Sequence, residues 1–317
     1  MPEKEYYKEL IGALKKKRFS KSETSKLKVK LCKKHGIKNI PTDIQVLLHA
    51  NKNDLKKLNI ITKPTRTISG VSVVAIMSTP FKCPHGECAM CPSKTDDGVP
   101  QSYTGREPAT MRGIRNNFDP YLQVFNRLEQ YVVLGQNFDK IELIIMGGTF
   151  PSFPKKYQES FVKYAFKAMN DFSKLFFKKN VFDVLKFRKF FLLPGTVNDE
   201  KRIKEIHKKI LKIKKDSTLV KEQSRNETSN IRCVGLTFET RPDYGTLKEG
   251  NELLRFGGTR VELGVQSVYD EALKRIDRGH SVKQSKESIR TLKDLGFKLN
   301  FHYMPGLPGI DRKKDLE

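Results

Sequence analysis

Three of the chain's five cysteines, Cys83, Cys88 and Cys91, lie within nine residues in the pattern C-x4-C-x2-C. Thiolates spaced this closely bind a metal ion or an iron–sulfur cluster. A structural zinc site needs four protein ligands, so zinc would recruit His85 or the distant Cys233 as well. Three thiolates on a [4Fe-4S] cluster instead leave one iron free for a small molecule, as in iron–sulfur enzymes that cleave S-adenosylmethionine (SAM). The spacing alone leaves both kinds of site open.

The cysteines follow the first strand of a predicted α/β core. From residue 63 onward, short runs rich in Val, Ile, Leu and Phe alternate with helical patterns, as parallel strands buried on both faces do. Strands joined by helices in this way form a parallel sheet or barrel with right-handed crossovers. The predicted strands are 71–77, 141–146, 234–238, 261–266 and 298–303, and the predicted helices are 120–134, 155–172, 244–256 and 282–295.

Polar and glycine residues collect where these strands end, which is where ligands bind in parallel α/β folds. Glycines after the second strand would let backbone amide and carbonyl groups approach the amino group of SAM. Side chains after the third and fourth strands could orient the carboxylate and ribose of SAM, although Glu239 and Arg241 could equally form a structural ion pair. The SAM-binding residues that this argument predicts are Gly147, Gly148, Glu239, Arg241 and Gln266.

The net charge of +25 is concentrated in two blocks. Residues 1–66 contain 18 Lys and Arg against 6 Asp and Glu, and residues 174–215 contain 14 against 4, so the blocks carry +12 and +10. Charge concentrated in this way predicts contact with a polyanion, in particular nucleic acid, with a strongly salt-dependent affinity. Solvated lysine-rich faces would explain the same composition.

Both basic blocks lie outside the α/β alternation. Residues 1–62 have the apolar spacing of a small helical module. Residues 174–230 are too many for an ordinary connection between a strand and a helix. We therefore predict an insertion here, which is either a second polyanion-binding arm or a partly disordered loop.

The sequence contains no run of about 18 apolar residues, and its lysine-rich N-terminus does not resemble a signal peptide. Clustered cysteines favour metal binding in a reducing compartment over a disulfide framework. We therefore expect a cytoplasmic protein with no membrane segment.

Several long motifs resemble the radical-SAM half of the Elongator catalytic-subunit family, of archaeal type. The resemblance covers roughly residues 60–317. The motifs are KPTRTISGVSVVAIMSTPFKCPHGECAMCP, VPQSYTGREPATMRGIRNNFDPYLQVFNRLEQ, DKIELIIMGGTFPS, NETSNIRCVGLTFETRPD, RVELGVQSVYD and HYMPGLPG.

This resemblance implies carboxymethyl-type modification at C5 of the wobble uridine of tRNA, using SAM and acetyl-CoA. It implies that the cluster is bound by Cys83, Cys88 and Cys91. It also implies that Gly147, Gly148 and Thr149 face SAM. Lys140 is implied to contact acetyl-CoA. The anticodon stem-loop would be the RNA partner, a homodimer is compatible with it, and the basic N-terminus suits the family. We expect Lys15, Lys16, Lys17 and Arg18 to contact tRNA.

Members of that family continue into further barrel elements and a GNAT-type acetyltransferase domain, whereas this chain stops at Glu317. The expected architecture is therefore an incomplete (βα)6-type radical-SAM partial barrel over 63–317, with the insertion at about 174–230, preceded by the basic helical module over 1–62. Three functions remain open: the radical-SAM and tRNA-binding portion of the wobble-uridine enzyme, a non-catalytic tRNA-binding fragment, or another radical-SAM RNA modification such as methylthiolation.

Overall fold

The structure is a computed structural model that describes residues 2–17, 19–55, 58, 69–195 and 199–317. The chain divides into two compact units, each built from separate stretches of sequence. The helical unit consists of Met1–Ser72, Arg127–Phe138 and Ser173–Lys214, and the sheet unit consists of Val73–Asn126, Asp139–Phe172 and Lys215–Glu317.

The strands are β1 (Ser72–Met77), β2 (Lys140–Met146), β3 (Phe177–Lys178), β4 (Val181–Phe182), β5 (Arg232–Thr240), β6 (Arg260–Gln266) and β7 (Lys298–Tyr303). The α-helices are α1 (Pro2–Lys16), α2 (Lys21–His35), α3 (Asp43–His49), α4 (Lys52–Leu55), α5 (Pro108–Arg115), α6 (Pro120–Leu134), α7 (Lys155–Phe176), α8 (Val184–Phe190), α9 (Glu200–Ile213), α10 (Leu219–Glu227), α11 (Leu247–Arg255), α12 (Asp270–Arg275), α13 (Val282–Asp294) and α14 (Arg312–Leu316). No helix among the described residues combines the length and apolar character that crossing a membrane requires.

The N-terminal helices form a small core of their own within the helical unit. Apolar residues of α1 recur at helical spacing, and they pack with buried residues of α2 and α3. Ser20 and Thr42 begin α2 and α3 with capping boxes, each accepting a hydrogen bond from the backbone three residues later. The core consists of Tyr6, Tyr7, Leu10, Ile11, Leu14, Leu31, Cys32, Val46 and Ala50.

Residues 173–195 and 199–214 form the β3–β4 hairpin and helices α8 and α9, so this part of the predicted insertion is folded. Aromatic rings of Phe176, Phe187 and Phe191 pack on one another with centroids 4.7–5.6 Å apart. The buried guanidinium of Arg202 forms an ion pair with Glu129. This part of the predicted insertion is thus packed within the helical unit.

The sheet unit contains a five-stranded sheet in the order β1-β2-β5-β6-β7. Pairs β2–β5, β5–β6 and β6–β7 are parallel. All five predicted strands are present, so the predicted α/β class is confirmed. Strand β5 is longer than predicted, because its start pairs with Lys140 and Ile141 at the beginning of β2.

The observed units differ from the contiguous division predicted at residue 62. The helical unit takes in Ser173–Lys214 from the middle of the chain, while residues 215–230 lie in the sheet unit. There, α10 is joined to α7 by hydrogen bonds from Asn170 to Glu222 at 2.8 and 2.9 Å and by an Arg225–Asp171 ion pair at 3.0 Å. Burial would raise the pKa of Glu222, but hydrogen bonds from Ser217, Asn170 and Arg225 outweigh it and lower that pKa.

Candidate functional site

The cysteine loop leaves the carboxyl end of β1 and is fixed by the segment that follows it. The backbone N–H of Cys83 donates to Gln101 Oε1 at 2.6 Å, and the N–H of Ser102 donates to Cys91 Sγ at 3.3 Å. Inside the loop, the N–H of Cys91 donates to the carbonyl oxygen of Cys88 at 2.9 Å. Sulfur atoms that accept backbone hydrogen bonds are a regular feature of iron–sulfur ligation.

The glycines after β2 lie directly beside the start of this loop. The Ser78 N–H donates to the carbonyl oxygen of Met146 at 2.9 Å, which joins the ends of β1 and β2. Gly147 has φ +121 and Gly148 has φ +93, values that side chains strongly disfavour. A Cβ on Gly147 would also collide with Ser78 Oγ. Ser78 fills the space beside Gly147, whereas a Cβ on Gly148 would meet only the carbonyl oxygen of Gln101, at 4.0 Å. The backbone is therefore open to close approach by a ligand at Gly148.

Thr149 and Cys83 meet at the same place. The Thr149 hydroxyl is buried and lies beside the Cys83 thiol, and its oxygen has no hydrogen-bond partner. Burial raises the pKa of the Cys83 thiol, and the positive charge of Arg241 offsets part of that rise.

Glu239, at the end of β5, accepts a short hydrogen bond from the phenol of Tyr103. Burial raises the pKa of Glu239, and the hydrogen bond from Tyr103 opposes the rise. Arg241 pairs instead with Asp243, through contacts of 2.8 and 3.0 Å. The Glu239–Arg241 ion pair that the sequence allowed is therefore not formed, because each group has another partner.

Arg241 also donates to Nδ1 of His85, so the ring hydrogen of His85 lies on Nε2, which is 3.1 Å from Cys88 Sγ. Burial and the charges of Arg241 and Arg278 lower the pKa of His85 to about 4. His85 is therefore neutral near pH 7, and it donates a hydrogen bond to a cysteine sulfur.

Gln266 and Arg278 meet over Gly264 in β6. A Cβ on Gly264 would lie 2.5 Å from Arg278 Nη2 and 2.9 Å from Gln266 Nε2. Gln266 itself has φ +65, and its carbonyl oxygen accepts from the N–H of Met304 at 2.9 Å. The glycine thus makes room for two donor side chains on the strand surface.

The cysteine loop, the carboxyl ends of the strands and residues 276–280 together form what we call the rim. Several buried polar atoms at this rim lack a protein partner. They are Thr149 Oγ1, Thr240 Oγ1, Arg278 Nε and His280 Nδ1. Burial, followed by the charges of Arg278 and Arg241, lowers the pKa of His280 to about 4, so the imidazole is neutral near pH 7. Unpaired buried polar atoms are costly unless a ligand or water satisfies them.

These residues fit a cluster and SAM in chemical type. Three thiols lie in one loop, nitrogen donors reach two of the sulfurs, and two arginines oppose thiolate charge. Across the ranges that the structure describes, no three His, Cys, Asp or Glu side chains are gathered closely enough to hold a metal ion as they stand.

Residues 77–316 match a family described as the Radical SAM superfamily. This chain belongs to the Radical SAM superfamily. The family implies SAM and a [4Fe-4S] cluster, the pair that the loop and the glycines had predicted.

The chain is also similar to individual proteins. It is 44% identical over 280 residues to "tRNA uridine(34) acetyltransferase" of Methanocaldococcus infernus, covering 87% of this chain and 45% of that protein. It is 34% identical over 305 residues to "Elongator complex protein 3" of Mus musculus, covering 92% and 48%. The solved structure of archaeal Methanocaldococcus infernus Elp3 with an N-terminus deletion (1-46) matches with TM-score 0.52 and 36% identity, over 77% of this chain and 40% of that one. The resemblance predicted from the motifs is confirmed, and the chain spans less than half the length of these relatives.

Two residues considered from the sequence lie away from the radical-SAM rim. Cys233 pairs with Ile141 near the start of β5, and burial raises the pKa of its thiol to about 12. Lys140 is exposed at the first residue of β2. At about 3.3 Å per strand residue, each lies about 20 Å along its strand from the carboxyl end. Cys233 therefore cannot complete a zinc site with the cysteine loop, and Lys140 does not join the SAM-facing residues.

The predicted tRNA-binding residues lie at the end of α1 in the helical unit. Lys15 forms an ion pair with Asp54, and Lys17 lies 3.4 Å from Glu23 and over the ring of Phe19. Lys16 is exposed, and Arg18 lies outside the described residues.

The sequence reasoning missed four residues of the rim: Gln101, Tyr103, Arg278 and His280. Tyr103 and Gln101 lie in the connection between β1 and α5, and the other two follow α12, so none is at a strand end. For Gln101 and Tyr103 the signal in the sequence is the motif VPQSYTGREP, which is part of the family resemblance.

Proposed function

We propose that this chain is the SAM-cleaving and tRNA-binding portion of an enzyme that modifies C5 of uridine 34 in tRNA with an acetyl-CoA-derived group. One observation carries the proposal. In a chain of the Radical SAM superfamily, the hydrogen bond from Ser78 to Met146 places the start of the cysteine loop beside Gly147 and Gly148. The name of the similar archaeal protein, tRNA uridine(34) acetyltransferase, supports a tRNA substrate and is consistent with acetyl-CoA as the donor.

Within this proposal, Cys83, Cys88 and Cys91 hold the cluster. A [4Fe-4S] cluster bound by these cysteines would supply the one electron that divides SAM into methionine and a 5'-deoxyadenosyl radical. Backbone groups of Gly147 and Gly148 receive the amino group of SAM, and the open space beside Gly148 lets the ligand approach the backbone closely.

Other side chains orient the rest of SAM. Glu239, held by Tyr103, is an acceptor suited to the ribose hydroxyl groups. The side-chain amide of Gln266 is a donor suited to its carboxylate. The hydroxyl of Thr149 gains a partner once the site is filled.

The tRNA-binding role rests on the charge of the helical unit. This unit contains 32 Lys and Arg and 11 Asp and Glu, so it carries +21 of the net +25. Both basic blocks of the sequence belong to it, except for Lys215. A polyanion that contacts such a surface releases counterions, so its affinity falls steeply with salt.

Charge reversal tests this role. Changing Lys15, Lys16, Lys17 and Arg18 to Glu should weaken binding of unrelated tRNAs about equally and reduce the dependence of log Kd on log salt, because each lost phosphate contact lowers the slope by about 0.9. A matched control reverses Lys283, Lys286, Arg290 and Lys293 on α13 of the sheet unit. Equal affinity in the two quadruple variants would contradict a tRNA surface at the end of α1.

For acetyl-CoA, the proposal keeps Lys140 as a contact at the exposed start of β2. Lys140→Ala should weaken acetyl-CoA binding in calorimetry and leave SAM binding unchanged, because the residue lies about 20 Å from the carboxyl end of the strand. Parallel loss of both ligands would contradict separate sites.

The enzyme itself is tested by anaerobic reconstitution, reduction, and measurement of 5'-deoxyadenosine released from SAM. Release that depends on tRNA or acetyl-CoA supports the proposal. The charge of the helical unit also supports a second candidate, a tRNA-binding module without catalysis, which tight and salt-dependent tRNA binding with no SAM cleavage would favour. SAM cleavage that acetyl-CoA leaves unchanged would favour a different radical-SAM modification of RNA, such as methylthiolation.

A further inference from the structure

The turn that follows α12, residues 276–280, contacts the cysteine loop at several points. The N–H of Ala89, between the second and third cysteines, donates to the carbonyl oxygen of Ile276 at 3.0 Å. Arg278 Nη1 lies 3.5 Å from Cys88 Sγ, and its Nη2 donates to the carbonyl oxygen of Gly264 at 3.2 Å. One guanidinium therefore bridges a cysteine sulfur and the surface of β6.

The backbone of the turn is shaped for these contacts. Gly279 has φ +73, and a Cβ there would lie 2.7 Å from Cβ of His85, so the loop packs directly on the glycine. Asp277, with φ +52, is also in the left-handed region, and the N–H of Arg278 donates to the carbonyl oxygen of Leu273 at 2.9 Å. Such a turn holds the arginine toward the cysteines rather than toward solvent.

We infer that the 276–280 turn is a clasp that positions the cysteine loop, and that Arg278 is its positioning residue through Cys88. The inference rests on the proposed cluster site. Arginine suits this role because its planar fork presents two donors in fixed directions, one to sulfur and one to the strand. Cys88 receives a second donor from His85, so it accepts more side-chain hydrogen bonds than the described contacts give Cys83 or Cys91.

The clasp has two consequences that can be measured apart from catalysis. In the protein without its cluster, the bond from Ala89 to Ile276 should slow amide exchange across residues 83–91. In the loaded protein, a positively charged donor to a ligand sulfur favours the reduced cluster and raises its reduction potential. A residue that merely aids folding would not move the potential.

The test compares Arg278→Gln and Arg278→Lys with Arg290→Gln, which removes an exposed arginine of α13 in the same unit. Arg278→Gln should speed amide exchange across the cysteine loop about tenfold in the cluster-free protein, speed loss of cluster absorbance to a chelator, and give a more negative midpoint potential. Arg278→Lys should fall between, because an ammonium retains the charge but not the fork.

A second pair of variants keeps the test independent of the arginine. Gly279→Ala should displace the cysteine loop, because the added Cβ meets His85. The control is Gly296→Ala, since Gly296 also has a positive φ, +86, but a Cβ there meets nothing within 4 Å. Backbone strain is therefore shared and only the clasp contact differs. The clasp is refuted if Arg278→Gln matches Arg290→Gln in exchange, cluster loss and potential. A wild type that takes up no cluster would overturn the proposed function alone, because amide exchange still tests the clasp.

Discussion

Replacing Gly147 with alanine should be among the most damaging single changes at the rim. Two costs add. An alanine at φ +121 is strained by about 1–2 kcal/mol. Its Cβ would also collide with Ser78 Oγ and lie 3.2 Å from the Cβ and backbone N of Ser78. That nitrogen cannot move freely, because it donates to Met146, so overpacking adds about 1–3 kcal/mol.

The neighbouring glycine is the matched control. Gly148 has φ +93, but a Cβ there would meet only the carbonyl oxygen of Gln101, at 4.0 Å. Gly148→Ala should therefore lose about 1–2 kcal/mol from strain alone, and Gly147→Ala about 2–5 kcal/mol. Combining Gly147→Ala with Ser78→Ala should recover part of the loss, because it removes the oxygen and leaves the 3.2 Å contacts.

The assay is urea unfolding of the cluster-free protein, followed by circular dichroism, with SAM affinity measured on the reconstituted protein. Gly147→Ala should lower the free energy of unfolding more than Gly148→Ala does. It should also lower the affinity for SAM. Equal unfolding free energies for the two variants would refute the close approach of Gly147 to Ser78 on which the site is built.

Three further predictions concern titratable groups. Tyr103→Phe removes the hydrogen bond that opposes the raised pKa of Glu239, so urea unfolding should show a loss of about 1–3 kcal/mol at pH 8 and less at pH 5. The lowered pKa of Glu222 contributes stability above its unfolded value of about 4.3, and the contribution is lost as pH falls through the folded pKa, so Glu222→Gln should flatten the acid limb of stability. Glu262 accepts a hydrogen bond from His302 at 2.8 Å, which raises the pKa of His302. The pair therefore stabilises the fold below about pH 6.5, and this contribution is lost as the pH rises through the folded pKa. Nuclear magnetic resonance should show a lower pKa of His302 in Glu262→Gln.

The strands, and the polar and glycine residues at their carboxyl ends, could be predicted from the sequence because both depend on local patterns. Short apolar runs mark buried parallel strands, and chemistry collects at their carboxyl ends. The start of β5 was missed because it depends on a contact between residues far apart in sequence: Arg232 and Cys233 lie opposite Lys140 and Ile141 in the ladder with β2. No local periodicity records such a contact.

The grouping of residues 173–214 with the N-terminal helices also depends on contacts between distant residues. Arg188 donates to the carbonyl oxygen of Ala50 at 3.2 Å, across 138 residues of sequence. Composition revealed the two basic blocks but could not show that they belong to one unit. Arg278 was missed for the same reason, since 190 residues separate it from Cys88.

The central claim is that Cys83, Cys88 and Cys91 hold a [4Fe-4S] cluster and that Cys233 takes no part. The most direct test measures iron, sulfide and zinc, with electron paramagnetic resonance, after anaerobic reconstitution of wild type, the three single cysteine-to-alanine variants and Cys233→Ala. We predict about four irons per chain and a reduced-cluster signal in wild type and Cys233→Ala, with both lost in the other three. Stoichiometric zinc without iron in wild type, or loss of the cluster in Cys233→Ala, would contradict the assignment.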